Sequence, residues 1–364
     1  MLSRRINWGI IGTGKSAHNL AQALSMTKSG KLVAISSRKL INAKKFAQEF
    51  NLPLYFSSCK EFANNIEIDI VYIATPNSCH KEHALLCLEA GKNVLVEKPF
   101  TTNTKDAQIL IDLAKKNNLF LMEAMWTRFT PAFIKVEQLI KSGEIGEIVS
   151  FQSSLGQPSE IDKSRNLFNG SMGGGATLDL GVYLVFWAHR LFGSPDHVQS
   201  SVHYGDTDVD LTSSAILSYG QGKYTHLSSS IISRFLNNGI IYGDKGFIEI
   251  RQPLYCPTAF SITKYSEINH FESRQSILRG LLSKIKRSHL LQNLYMNHPL
   301  LGRYILGVTT KRAIHMPIKG NGLQYMTEEV SRYLLGDKST NGKIISLSET
   351  LATMKVVDKI RRTT

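Results

Sequence analysis

Over the first third of the chain, short β-branched runs alternate with stretches in which apolar positions recur every three or four residues. The runs at Ile6–Ile11, Leu32–Ser36, Asp69–Ala74, Asn93–Val96 and Leu119–Met122 predict strands, and Ser16–Met26, Asn42–Phe50, Cys79–Glu89 and Thr104–Lys116 predict the helices between them. Strand, helix, strand in regular succession is the rhythm of a doubly wound parallel sheet covered by helices on both faces. The period changes from Ile145 onward. Val198–Tyr204, Leu211–Tyr219, Tyr224–Ile232 and Gly246–Ile250 predict long alternating strands, joined by turns at Gly220-Gln221-Gly222 and Gly243-Asp244-Lys245-Gly246. Helical patterns at Pro131–Lys141, Ala176–Leu191, Leu323–Leu335 and Ser348–Arg361 accompany them. The expected division is an α/β unit over residues 1–123 and an α+β unit over 124–364, the second with a large, mostly antiparallel open sheet.

Length agrees with this division, since 364 residues suit two units of about 150. Hydrophobic residues at 42% and charged residues at 20% exclude a disordered or coiled-coil chain. No apolar run approaches the roughly 20 residues a bilayer requires. The start passes from Arg4 and Arg5 straight into a glycine turn with no apolar leader, so a cytoplasmic location is expected. Cys59, Cys79, Cys87 and Cys256 form no CxxC pair and have no histidines at zinc-finger spacing, which predicts reduced thiols and no metal.

The loop Gly12-Thr13-Gly14-Lys15-Ser16-Ala17 leaves the first strand and opens the first helix. Glycines there let the backbone approach a pyrophosphate at a helix N-terminus, the signature of a Rossmann dinucleotide site. The second strand ends in Ser36-Ser37-Arg38-Lys39 rather than in a carboxylate, which suits a 2′-phosphate and favours NADP, with NAD the second choice. Ala74-Thr75-Pro76-Asn77 and Glu97-Lys98-Pro99 follow two further strands, at the carboxyl ends where open α/β sheets bind ligands. His80 and His83 begin the next helix, where capping or packing is the commoner role.

These segments, together with ATPNSCHKEHA at 74–84, AGKNVLVEKPF at 90–100, GGGATLDLGVY at 173–183, IYGDKGFIEI at 241–250 and GNGLQYMTEEV at 320–330, resemble the Gfo/Idh/MocA oxidoreductase family. EAMWTRFTPAF at 123–133 and a tyrosine at 183 are similar to its dimeric dihydrodiol dehydrogenase and NADP-dependent xylose dehydrogenase branch. The resemblance implies hydride transfer between a nicotinamide and a carbinol or carbonyl carbon of a sugar-like substrate. It implies a cofactor crevice built from Gly12, Thr13, Gly14, Lys15, Ser16, Ala17, Ser37, Arg38, Thr75, Pro76, Asn77, His80, Glu97 and Lys98. It also implies Trp126 and Arg128 at the substrate mouth, and a homodimer formed through the exposed face of the antiparallel sheet.

Asp179 and Tyr183 are four residues apart, so on a helix they share a face and can converge on one point, and the resemblance implies that this face meets Lys98 across the nicotinamide crevice. The expected roles are Tyr183 as proton carrier, Lys98 holding its pKa down, and Asp179 orienting the substrate or the lysine. Acid–base work near neutrality asks the phenol for a shift of about three units from its usual 10, roughly 4 kcal/mol. An ammonium at about 4 Å supplies an amount of that order, against the cost of desolvating the phenolate.

The net charge of +14 is concentrated. Residues 273–327 contain no acid and nine lysines and arginines, and the stretch at about 273–319 has no counterpart in the branch. Its leucines favour an extra packing helix. Gathering the phosphates of a nucleotide-sugar, as a ketoreductase would, ranks second, and contact with anionic lipid or nucleic acid ranks last because no aromatic stacking series accompanies the charge. A non-catalytic NADP sensor is the rival from another functional class.

Overall fold

The computed structural model describes residues 4–265 and 311–362, so most of the acid-free basic stretch lies outside the described residues. Six strands form the first sheet: β1 (Ile6–Ile11), β2 (Gly30–Ser36), β3 (Leu54–Phe56), β4 (Ile70–Ile73), β5 (Asn93–Val96) and β6 (Leu121–Glu123). All pair in parallel, in the order β3-β2-β1-β4-β5-β6. Because helices cover both faces, the central strands are apolar throughout, with Trp8, Ile10, Ile70, Val71, Tyr72 and Ile73 fully buried. The covering helices are α1 (Lys15–Ser25), α2 (Leu40–Glu49), α3 (Cys59–Asn64), α4 (His80–Glu89) and α5 (Thr104–Lys116). The strand order reverses between β1 and β4, which opens a crevice at their carboxyl ends. β3 escaped the sequence pattern because it is a three-residue edge strand, too short to show a period.

The second sheet contains β7 (Ile148–Gly156), β8 (His197–Tyr204), β9 (Asp210–Ser218), β10 (Tyr224–Ser230), β11 (Gly239–Gly243), β12 (Gly246–Ile250), β13 (Ala259–Lys264) and β14 (Lys311–His315). Its order is β14-β13-β12-β11-β7-β10-β9-β8. Every pairing is antiparallel except β7 with β10, which the chain reaches only after a long excursion through a helix and two strands. The expected turn at 243–246 makes the β11–β12 hairpin, in which Tyr242 faces Phe247. α6 (Pro131–Lys141), α7 (Val182–Phe192), α8 (Leu323–Leu334) and α9 (Leu347–Arg362) complete the fold.

Two helices late in the chain return to the first sheet. α8 packs on α1, and the buried Trp8 indole donates to Ser331 Oγ at 3.0 Å. α9 packs on α5 and α7, where Asp358 accepts the Thr104 N–H at 2.7 Å, the first N–H of α5.

The helix expected at 176–191 is present and runs unbroken to Phe192, but its first turn is wider than an α turn. Thr177–Gly181 forms a single π turn that runs into α7. Its start is fixed by Asp210, 1% exposed, which accepts the Thr177 N–H at 2.6 Å. Gly175, at φ +120°, leaves no room for a side chain, since a Cβ would lie 2.0 Å from Asp210 Oδ1. Removing that carboxylate strands a buried donor, a loss of about 1–3 kcal/mol. Asp210→Ala is therefore expected to lower the urea midpoint of unfolding by that equivalent, and an unchanged midpoint refutes the capping role.

Candidate active site

The loop after β1 comes very close to the one after β4. Gly12 has φ +111°, and a Cβ on it would lie 2.4 Å from the Ala74 carbonyl oxygen, so the approach requires glycine. Gly14 faces open space, and α1 starts with neither a side-chain cap nor an acidic residue in its first turn. Unsatisfied N–H groups beside an open glycine fit the pyrophosphate of a dinucleotide. Thr13 Oγ1 lies 3.5 Å from Ser37 Oγ at the end of β2, and Arg38 and Lys39 are exposed just beyond. The Arg38 charge reaches His83, adding to the burial that lowers the histidine pKa, while His83 Nδ1 lies 3.2 Å from Thr75 Oγ1. Lys15 is exposed at the same opening.

At the end of β5 the Lys98 ammonium donates to both the Asp179 carboxylate, at 2.8 Å, and the Asp179 carbonyl, at 2.7 Å. It also stands 4.9 Å from the centre of the Tyr183 ring, over its face. Burial works against the lysine's charge, but Asp179, Tyr183 and Glu97 outweigh it and hold the ammonium well above its ordinary range. Asp179 comes from the π turn and Tyr183 from the first turn of α7, so residues four apart do converge on one amine. Wide turns of this kind recur at functional sites because they re-aim a side chain without ending the helix. The Trp126 indole donates to the Tyr183 hydroxyl at 3.0 Å, and the Tyr255 ring lies 5.7 Å from that of Tyr183.

Four of these groups sit in surroundings that the sequence did not show. Burial raises the Tyr183 pKa more than Lys98 lowers it, so the phenol lies above its usual value rather than near neutrality. The ammonium sits over the ring, not at the oxygen, and Asp179 already shares its charge. His80 is wholly buried, with Nδ1 2.9 Å from the Pro99 carbonyl and Nε2 3.0 Å from the Thr75 carbonyl, so it staples two loops instead of facing a ligand. Burial lowers its pKa to about 4, and the neutral ring donates to one of these carbonyls at a time. Ala17 is likewise buried and packs the helix on the sheet. Arg128 pairs with Glu137 at 2.7 Å, and Glu137 in turn holds Arg190 at 2.6 Å. It borders a separate cavity of about 860 Å³ that includes neither Lys98 nor Tyr183.

Several supporting contacts had no sequence signal. Glu97 accepts the Lys98 N–H at 2.5 Å, and burial raises the pKa of its carboxylate. Glu123, buried and with its pKa raised to about 7, accepts the Phe100 N–H at 3.1 Å and so fixes the loop that carries Lys98. Asn77 donates to the Gly173 carbonyl at 2.8 Å, tying the cofactor side to the glycine loop before Asp179. Pro76 opens the short turn on which Asn77 sits. Among the described residues no three His, Cys, Asp or Glu side chains gather as a metal site would need.

A family model described as an oxidoreductase family with an NAD-binding Rossmann fold matches residues 6–125, and the GFO/IDH/MocA C-terminal domain matches residues 133–249. The trans-1,2-dihydrobenzene-1,2-diol dehydrogenase of Xenopus tropicalis is 33% identical over 292 residues, covering 78% of this chain and 88% of that protein. Among solved structures, a 3-ketoreductase from Actinomadura kijaniata in complex with NADP and TDP-benzene has a TM-score of 0.77 at 22% identity, covering 98% of this chain and 97% of that one. An aldose-aldose oxidoreductase from Caulobacter crescentus, complexed with glycerol, has a TM-score of 0.79 at 21% identity, covering 99% and 97%. At such identities the structures show a shared fold. Both halves of the chain match their family models and the curated relative spans more than two thirds of it, so the chain belongs to the GFO/IDH/MocA oxidoreductase family.

Proposed function

We propose that this oxidoreductase moves a hydride between NADP and a carbinol or carbonyl carbon of a sugar, polyol or dihydrodiol, with Lys98, Asp179 and Tyr183 as its catalytic residues. The observation that carries the reading is the Lys98 ammonium held between Asp179 and the Tyr183 ring, beside the open start of α1. We assign residues 1–123 to cofactor binding and 124–364 to substrate binding and dimer formation. When bound, the nicotinamide supplies or accepts the hydride. The open α1 terminus and Gly14 would hold its pyrophosphate, and Arg38 a 2′-phosphate.

Tyr183 exchanges the substrate's hydroxyl proton. Lys98 balances the negative charge that grows on the phenol oxygen, and Asp179 holds that ammonium in place while its exposed edge meets the substrate. Outward-facing Ile216 and Tyr224, with the Tyr242–Phe247 and Phe247–Tyr265 ring contacts, support a homodimer built on the open face of the second sheet. Four free thiols and no described helix able to cross a membrane are compatible with the cytoplasm.

The test supplies NADP or NADPH with trans-1,2-dihydrobenzene-1,2-diol, D-xylose, other aldoses and a nucleotide-linked ketosugar, following absorbance of the reduced nicotinamide. Turnover of a diol or aldose is expected. Turnover confined to the nucleotide-linked ketosugar moves the assignment to a ketoreductase, and silence with tight cofactor binding moves it to a sensor. Lys98→Met and Tyr183→Phe should each reduce kcat by about 10²–10⁴ while the cofactor Kd stays within about threefold. Full turnover in both variants refutes the catalytic set.

Because burial keeps the phenol protonated at neutral pH, reduction has its proton donor ready while oxidation must first ionise Tyr183. Below the phenol's pKa the ionised fraction grows about tenfold per pH unit. Oxidation should therefore accelerate from neutral into alkaline pH while reduction stays level and then declines, and a pH-independent oxidation rate contradicts the assignment. Arg38→Ala should weaken NADP binding by about 10–100-fold and leave NAD binding unaltered, as isothermal titration would read.

A further inference from the structure

Trp126 stands on the turn directly after β6, and the indole around its one polar atom is clamped from three directions. The Tyr255 ring lies 6.2 Å away on one side. On another is Gly322, at φ +94°, where a Cβ would come 2.8 Å from the indole carbons. The turn itself is tied to the Tyr255 backbone, since Thr127 Oγ1 donates to the Tyr255 carbonyl at 2.6 Å. So held, Nε1 lies 3.0 Å from the Tyr183 oxygen.

An indole N–H can only donate. In this bond the Tyr183 oxygen is always the acceptor, and the tyrosine's own hydrogen must point elsewhere. We propose that Trp126 is a positioning residue for proton transfer: its N–H occupies one side of the Tyr183 oxygen, turns the phenol hydrogen toward the substrate crevice, and binds the oxygen more strongly once the proton has left. This deepens the reading of Tyr183 as proton carrier and rests on it. It gives the indole a task other than forming a wall for the substrate.

The other groups facing Tyr183 are accounted for. Lys98 favours its ionised form, while Glu97 at the end of β5 and Asp179 in the π turn oppose it. Tyr72 on β4 is wholly buried and neutral, its pKa raised well above normal. None of these donates a hydrogen bond to the phenol oxygen among the described contacts, whereas Trp126 does. A donor bonds an anion about twice as strongly as a neutral oxygen, so losing it should raise the phenol's pKa by about one unit.

The test replaces Trp126 with β-(3-benzothienyl)alanine, which keeps the shape and exchanges N–H for sulfur, and uses Trp126→Phe as a second variant. The full chain, ¹³C-labelled at tyrosine Cζ and saturated with NADP, is titrated by NMR, with the Tyr183 signal identified by its absence in Tyr183→Phe. An upward shift of about one unit in the isostere is expected. With whichever of D-xylose and trans-1,2-dihydrobenzene-1,2-diol turns over, the alkaline rise of the oxidation rate should move by the same amount and KM should stay within about threefold. An unmoved titration overturns the proposal, as does a change confined to KM, which would make Trp126 a substrate wall. Failure of the underlying reading is separate, since it would appear as turnover retained by Tyr183→Phe whatever Trp126 does.

Discussion

The geometry of the site depends on one ion pair between the two sheets' units, the Lys98 ammonium held at 2.8 Å from Asp179. At an effective dielectric near 20 the attraction is worth about 6 kcal/mol gross. Desolvation costs several kcal/mol per ion, and Asp179 keeps 41% of its side chain exposed, so little net stability remains. The pair acts chiefly as a positional constraint. It places a permanent positive charge over a phenol that would otherwise have no reason to ionise. The surrounding contacts hold its two ends: Glu97 and Glu123 secure the backbone on either side of Lys98, and Asn77 and Asp210 secure the glycine loop that leads to Asp179.

Much of this was legible in the sequence because it is local. Gly12 and Gly14 sit between an apolar strand and an amphipathic helix, and that arrangement has few structural solutions. The spacing of Asp179 and Tyr183 likewise predicted a shared face, although it did not foresee the π turn. What the sequence could not show arises from long-range packing. Arg128 looks like a mouth residue beside Trp126, yet the carboxylate that captures it is Glu137, one helix later. His80 follows a ligand-binding motif but meets the carbonyls of two separate loops, and only the folded sheet brings these together. Burial of Tyr183 has the same origin. A charge argument made along the chain counts the ammonium but not the desolvation, and the desolvation is the larger effect.

The second sheet shows the limit of reading strands one at a time. Alternation revealed β8, β9 and β10, and turn chemistry revealed the hairpin at 243–246. The parallel pairing of β7 with β10 depends on where the chain returns after α7, β8 and β9, and no local pattern records this. That return matters for the site, because Ser229 on β10 bonds Ser213 on β9, which in turn receives the hydroxyl of Thr177 in the turn carrying Asp179.

The return of α8 and α9 to the first sheet bears on how the molecule is made. Trp8 waits for Ser331, and the start of α5 waits for Asp358. The parallel strands are close together in the chain and can assemble early, but the indole at their centre lacks its acceptor, and the Thr104 N–H its carboxylate, until α8 and α9 have docked. The first sheet is thus finished by groups 323 and 254 residues away along the chain, so the nucleotide-binding half reaches its final packing only when the second half folds back onto it.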